Sequence, residues 1–97
     1  ICGGGAKSPL WRKIMANVLN IPVEQIESEE GPGLGGAILA AVGCGAFASV
    51  EEAAEKLVKP AGVEVPDASL AAKYEARYQQ FRQIYPACRQ LFDQLVF

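Results

Sequence analysis

The chain has 97 residues, 51% of them hydrophobic and 21% charged, and nine basic residues against eleven acidic ones leave a net charge of −2. Such apolar content with nearly balanced charge excludes an intrinsically disordered tail, and 10 glycines with 6 prolines are too few for a collagen-like or low-complexity chain. No basic surplus is available to neutralise a phosphate backbone, so nucleic acid is excluded as a main partner.

The length allows one domain at most. The chain opens on Ile1-Cys2 rather than Met and runs at once into three glycines. No helix or strand fits ahead of that run, which predicts a piece of a longer protein, cut where a strand ends. No signal or transit segment is visible. Gly3-Gly4-Gly5-Ala6 is expected to form a tight turn, because consecutive glycines cost too much backbone entropy inside a helix or strand. Ser8 is placed to cap a helix, with Pro9 at its first position, where a missing N–H is harmless. Leu10, Trp11, Ile14, Met15, Val18 and Leu19 recur at helical spacing and define one apolar face, with Trp11 as its core anchor. Arg12, Lys13, Ala16 and Asn17 fill the other side, and Asn20 and Pro22 stop the helix.

Val23–Ile26 reads as a brief strand. Glu27-Ser28-Glu29-Glu30 is an acidic turn punctuated by Gly31-Pro32. Leu34, Ala37, Ile38, Ala41 and Val42 mark a second, buried helix over residues 33–42, in which Gly35 is expected to permit close packing behind the glycine turn. The uncharged stretch 33–50 is too rich in small residues to read as a membrane span. Ser49 and Glu52 form a capping box for a third helix over 50–58, closed by Pro60. Glu51, Glu52, Glu55 and Lys56 give it a solvated face. Residues 61–65 form an extended connection. Asp67 caps a last helix over 68–95, interrupted near Pro86. Its stripe of Leu70, Tyr74, Tyr78, Phe81 and Tyr85 is expected to pack.

The chain has three cysteines, Cys2, Cys44 and Cys88, and no histidine. Without a C-x-x-C pair or an imidazole, a zinc site of the usual kind and a Ser-His or Cys-His catalytic pair are excluded. The cysteines are expected to be reduced, behaving as small hydrophobes.

Three chemistries compete for Gly3 to Ser8. Lys7-Ser8 looks like the end of a phosphate-binding P-loop, but Ile1 and Ala6 stand where that motif needs glycine. A dinucleotide fingerprint finds Gly3 and Gly5, but Ser8 in place of its third glycine. The third reading is a turn whose bare backbone lies against a flat ring, such as a purine, ahead of a helix N-terminus. A purely structural strand-to-helix turn is the alternative.

The run Gly3-Gly4-Gly5-Ala6-Lys7-Ser8-Pro9-Leu10-Trp11-Arg12, followed by Glu30-Gly31-Pro32-Gly33-Leu34-Gly35-Gly36-Ala37, resembles the C-terminal portion of the FGGY carbohydrate kinases. The tail, with Pro66-Asp67, Tyr74, Tyr78, Phe81-Arg82 and Ile84-Tyr85, extends the resemblance over essentially the whole chain. The resemblance implies an α/β parent fold of two actin-type, ribonuclease-H-like domains with ATP and sugar in the cleft between them. Residues 1–97 would be the C-terminal part of the second domain, mostly α-helical, with the glycine turn and one or two short strands.

By the same resemblance, Gly4, Gly5, Ala6, Lys7, Ser8 and Pro9 are cofactor-binding. Gly4 and Gly5 would lie along the adenosine, where a side chain at Gly5 would intrude. Pro9 stands where several members carry an Asn that contacts the nucleoside, and Gly33 and Gly36 replace the usual alanines. No catalytic or metal-binding residue is expected here: the general base and the phosphate loops of the family lie upstream. The implied cofactor is ATP with Mg held mainly outside this segment. The implied substrate is D-xylulose, bound mainly by the first domain, with ribulose, gluconate or glycerol as alternatives. The reading is of a cytoplasmic enzyme, without nucleic-acid or membrane partners, and compatible with a homodimer. The rival is a non-catalytic helical interaction domain whose glycine turn is only structural.

Overall fold

The computed structural model describes residues 1–95. A 3-10 turn, Gly4–Lys7, leads into α1, Pro9–Leu19, and then β1, Val23–Ile26. Helices α2, Gly31–Gly43, and α3, Val50–Leu57, follow, then β2, Pro60–Glu64, and the helices α4, Ala68–Phe81, and α5, Ile84–Gln94. The mostly helical architecture with two short strands agrees with the expectation.

Where capping chemistry is written in the sequence, the helix ends fall as expected. Ser8 Oγ accepts from Trp11 N at 3.3 Å, and Asn20 closes α1 in the left-handed region at φ 52°, a conformation asparagine tolerates. At α3, Ser49 Oγ accepts from Glu52 N at 3.2 Å. The reciprocal arm of that box differs from the ideal: Glu52 Oε2 accepts from Ala48 N, one residue before the cap. Asp67 Oδ1 accepts from the amides of both Ser69 and Leu70.

Several boundaries differ from expectation, each for a backbone reason. The glycine run is a 3-10 turn rather than a non-helical one, its bonds closing over three residues, as short runs ahead of α-helices commonly do. Helix α2 begins at Gly31, so Pro32 lies inside its first turn instead of punctuating the loop. The interruption expected near Pro86 is present and falls at Arg82 and Gln83, one turn ahead of the proline. Pro86 has no N–H to offer the Arg82 carbonyl and its ring collides with that group. The chain therefore restarts at Ile84, which puts Pro86 in the first turn of α5.

Residues 61–65, expected as a connection, belong largely to a strand. β1 and β2 pair antiparallel, Val23 opposite Glu64 and Gln25 opposite Gly62, with an irregularity between Gln25 and Ile26. Pro60 sits at the first position of its strand, where a missing donor costs least. Beyond it, Glu27 N donates to Lys59 O at 2.8 Å. Helix α1 packs against β1, β2 and α4.

Burial departs most from the sequence reading. Among the described residues the buried hydrophobics are Ala6, Ala16, Val23, Ile38, Ala53 and Ala71. The buried side of α1 is the one carrying Ala16 and Asn17, while Leu10, Trp11, Val18 and Leu19 of its apolar face are exposed. Helix α2 buries only Ile38. Leu70, Tyr78, Phe81 and Tyr85 are exposed too, contrary to the packing expected of their stripe. Cys2 and Cys44 are exposed and Cys88 half-buried, so none behaves as a core hydrophobe, although all three are free thiols. The radius of gyration is 19.1 Å, against roughly 12–13 Å for a compact domain of this length.

Candidate functional site

The glycine turn is set by three local constraints. Gly3 has φ 89°, a left-handed backbone that a side chain would strain. Ala6 N donates to Gly3 O and Ser8 N to Gly5 O, both at 3.1 Å, which winds the segment tightly. Ser8 then extends, at φ −86° and ψ 116°, and caps α1.

Ala6 is the buried pivot, 4% exposed. Its carbonyl accepts from Arg12 Nη1, in the first turn of α1. The other arm of the same guanidinium, Nη2, lies 3.8 Å from Glu64 Oε1 at the end of β2. Trp11 is 48% exposed and anchors no core. Its indole lies over Gly5 instead: a Cβ built there would sit 2.9 Å from both Cδ1 and Nε1. A side chain at Gly5 would therefore meet the indole before it met anything in the cleft. At Gly4 a Cβ would meet nothing within 4 Å.

The turn forms one wall of a cleft of about 290 Å³, whose opposite wall is the end of β1 and the acidic loop, residues 25–29. Lys7 Nζ and Glu29 Oε1 pair across it at 3.0 Å. Both side chains are well exposed, so the pair adds little stability. Of the six residues singled out from the sequence, Gly4, Ala6 and Lys7 line this cleft. Gly5 is covered by Trp11, the Ser8 hydroxyl is engaged in capping, and Pro9 starts α1.

The second glycine motif is tied to the turn at a different glycine from the one expected. A Cβ on Gly31 would fall 2.6 Å from Cys2 Sγ, so with residue 31 as glycine the start of α2 lies against the chain just before the turn without displacing that thiol. At Gly35 a Cβ would meet nothing within 4 Å, so among the described residues it does not serve close packing. No group of three or more His, Cys, Asp or Glu among the described residues could hold a metal ion.

Three participants escaped the sequence reading: Arg12, Glu64 and Glu29. A charged residue on a helix flank reads as solvated unless its partner is known. Glu64 lies 52 residues from Arg12, beyond the reach of local periodicity. The one available signal was that Arg12 closes the glycine motif itself.

Residues 1–44 match the family model "FGGY family of carbohydrate kinases, C-terminal domain". This segment of the chain belongs to that family, as its two glycine motifs imply. The relatives narrow the likeness. The chain is 38% identical to xylulose kinase of Bacillus subtilis over 89 residues, which cover 92% of the chain and 18% of the relative. It is 35% identical to autoinducer-2 kinase of Yersinia pestis over 83 residues, 86% of the chain and 16% of the relative. Its fold matches part of the solved ligand-bound xylulose kinase of Lactobacillus acidophilus with TM-score 0.77 and 24% identity, covering 91% of the chain and 18% of that structure. Gluconate kinase of the same organism gives TM-score 0.76 at 24% identity, covering 89% and 17%. The chain thus spans less than a fifth of the length of these relatives and structures.

Proposed function

We propose that residues 1–97 form the C-terminal part of the second actin-like, ribonuclease-H-like domain of an ATP-dependent sugar kinase, and that the glycine turn holds the adenosine of ATP. The observation that carries this reading is the Gly4 backbone, exposed at the cleft and open on its Cβ side. A flat ring can lie against backbone only where no side chain stands off it. Gly4 and the neighbouring Ala6 and Lys7 offer such a surface, with Lys7 at the rim paired to Glu29. Gly5 and Ser8 contribute by shaping the turn, and Pro9 by starting the helix behind it.

Bound ATP supplies the γ-phosphoryl group, and Mg²⁺ with it neutralises charge on the phosphates. The general base, the phosphate loops and the metal ligands belong to the remainder of the kinase. This chain's own task is to bind and orient the nucleoside. The enzyme is read as cytoplasmic. D-Xylulose is the proposed acceptor, since xylulose kinases are among its relatives at 38% and 37% identity. The likeness to an autoinducer-2 kinase and a gluconate kinase favours a second reading of the acceptor, another sugar or sugar acid on the same scaffold.

The test is Gly4→Val in the full-length kinase. Its Cβ meets nothing within 4 Å among the described residues, so, with thermal unfolding confirming a folded variant, a lost affinity reports on the ligand. The dissociation constant for an ATP analogue is expected to rise at least tenfold, about 1.4 kcal/mol, with xylulose affinity nearly unchanged. An unaltered nucleotide affinity in a folded variant would overturn the adenosine assignment.

A further inference from the structure

Arg12 is a cation with a largely covered side chain, 14% exposed, whereas its neighbour on the same helix, Lys13, is exposed. One arm donates to the carbonyl of Ala6, the buried pivot of the turn. The other faces Glu64, itself 22% exposed and at the last position of β2. A planar guanidinium can hold two acceptors in a fixed relation, whereas an ammonium is a single point charge. The first contact is a hydrogen bond and the second, at 3.8 Å, an ion pair without one, so a single charged group links the turn to the sheet. Glu64 lies outside residues 1–44, which match the family model.

We infer that Arg12, held in place by Glu64, is the positioning residue of the nucleotide turn: it fixes the Ala6 carbonyl and with it the path of the Gly4 backbone. The inference rests on the reading that the turn holds adenosine. Arg12 does not line the cleft and so acts through the turn rather than on the ligand.

The experiment uses the full-length kinase with Arg12→Lys, Arg12→Met, Glu64→Gln and the double variant Arg12→Met/Glu64→Gln. KM for ATP is expected to rise about tenfold in both Arg12 variants, or about 1.4 kcal/mol. A rise of about threefold is expected in Glu64→Gln. A KM that rises with kcat nearly unchanged marks lost binding rather than lost chemistry, and KM for the sugar should not move. The double variant should be no worse than Arg12→Met alone, because residues acting as one unit are not additive. A sugar KM rising in parallel with that for ATP would show a merely structural role, and additive effects in the double variant would show that Arg12 and Glu64 act independently; either overturns the inference. An unmoved ATP KM in the Arg12 variants overturns it as well. Gly4→Val separates the two failures. If Gly4→Val weakens ATP binding while the Arg12 variants do not, the brace alone is wrong; if neither does, the adenosine assignment falls with it.

Discussion

The glycine-turn region and the α4–α5 pair treat their side chains in opposite ways. Around the turn, specific groups find specific partners within the chain: Arg12 reaches Ala6 and Glu64, the indole of Trp11 covers Gly5, and Gly31 admits Cys2. Along α4 and α5, large apolar side chains face outward; Phe81 is 68% exposed, Tyr85 65%, and α5 buries no residue. The two regions meet through α1 and α4, where Asn17 Oδ1 accepts from Asp67 N at 2.7 Å beside the buried Ala16 and Ala71. The difference separates two meanings of amphipathicity. A stripe of apolar residues predicts that something covers a helix, but not that this chain does so. A glycine whose Cβ would fall 2.6–2.9 Å from a neighbouring side chain reports on contacts the chain makes with itself.

The largest effect follows from that contrast. If the outward apolar faces are where the rest of a kinase sits, the 97-residue chain alone should phosphorylate no sugar, because the proposed base and phosphate loops lie in that remainder. ATP- and metal-dependent turnover of xylulose by highly purified chain would break the comparison, since the exposed faces would then need no cover for activity. Coupled assay of the purified chain against the full-length protein measures it.

The next effect tests how little slack the turn has. Gly5→Val would force its side chain into the Trp11 indole, and overpacking of this kind typically costs about 1–3 kcal/mol. Gly4→Val should cost almost nothing in stability. Thermal unfolding of the two full-length variants measures the difference. Equal stabilities would mean that the indole moves aside freely, and the turn would then be no tighter than the helical pair.

What the sequence disclosed divides along the same line. Ser8, Asn20, Ser49 and Asp67 act through their own backbone neighbours, so the helix ends they set could be read directly. Val23–Ile26 was visible as a strand, but its partner was not, because the Gly62 and Val63 of β2 show no alternation that would separate a strand from a loop. The turn is recognisable by its glycines; that a Cβ at Gly5 would point at the Trp11 indole is not. Nothing in residue type encodes which way a Cβ would point. The shifted burial of α1, which covers Ala16 and Asn17 fully but Ile14 and Met15 only in part, has the same origin: periodicity marks an apolar face but not how much of it this chain covers. Arg12 and Asn17, both polar, turned out to hold the junctions.

The smallest effect concerns the cap at the junction. The carboxylate of Asp67 is held below the ordinary aspartate range, first by the Ser69 hydroxyl and then by the amides of Leu70 and Ser69. Hydrogen bonds to the ionised form favour that form. A folded-state value lower than the unfolded one means that the cap contributes in full above the ordinary aspartate range. The contribution is lost as pH falls through the lowered folded value. Because the group is open to solvent, the change should be local to the first turn of α4 and not a global unfolding. Amide exchange at Ser69 and Leu70 should therefore stay slow through mildly acidic pH, once corrected for the intrinsic pH dependence of exchange, and quicken only at strongly acid pH. Asp67→Asn, which keeps a capping oxygen without a titrating group, should flatten that dependence. A dependence that survived in Asp67→Asn would assign it to another group, and the tie between α4 and the turn region would then rest on Asn17 rather than on the charge of the cap.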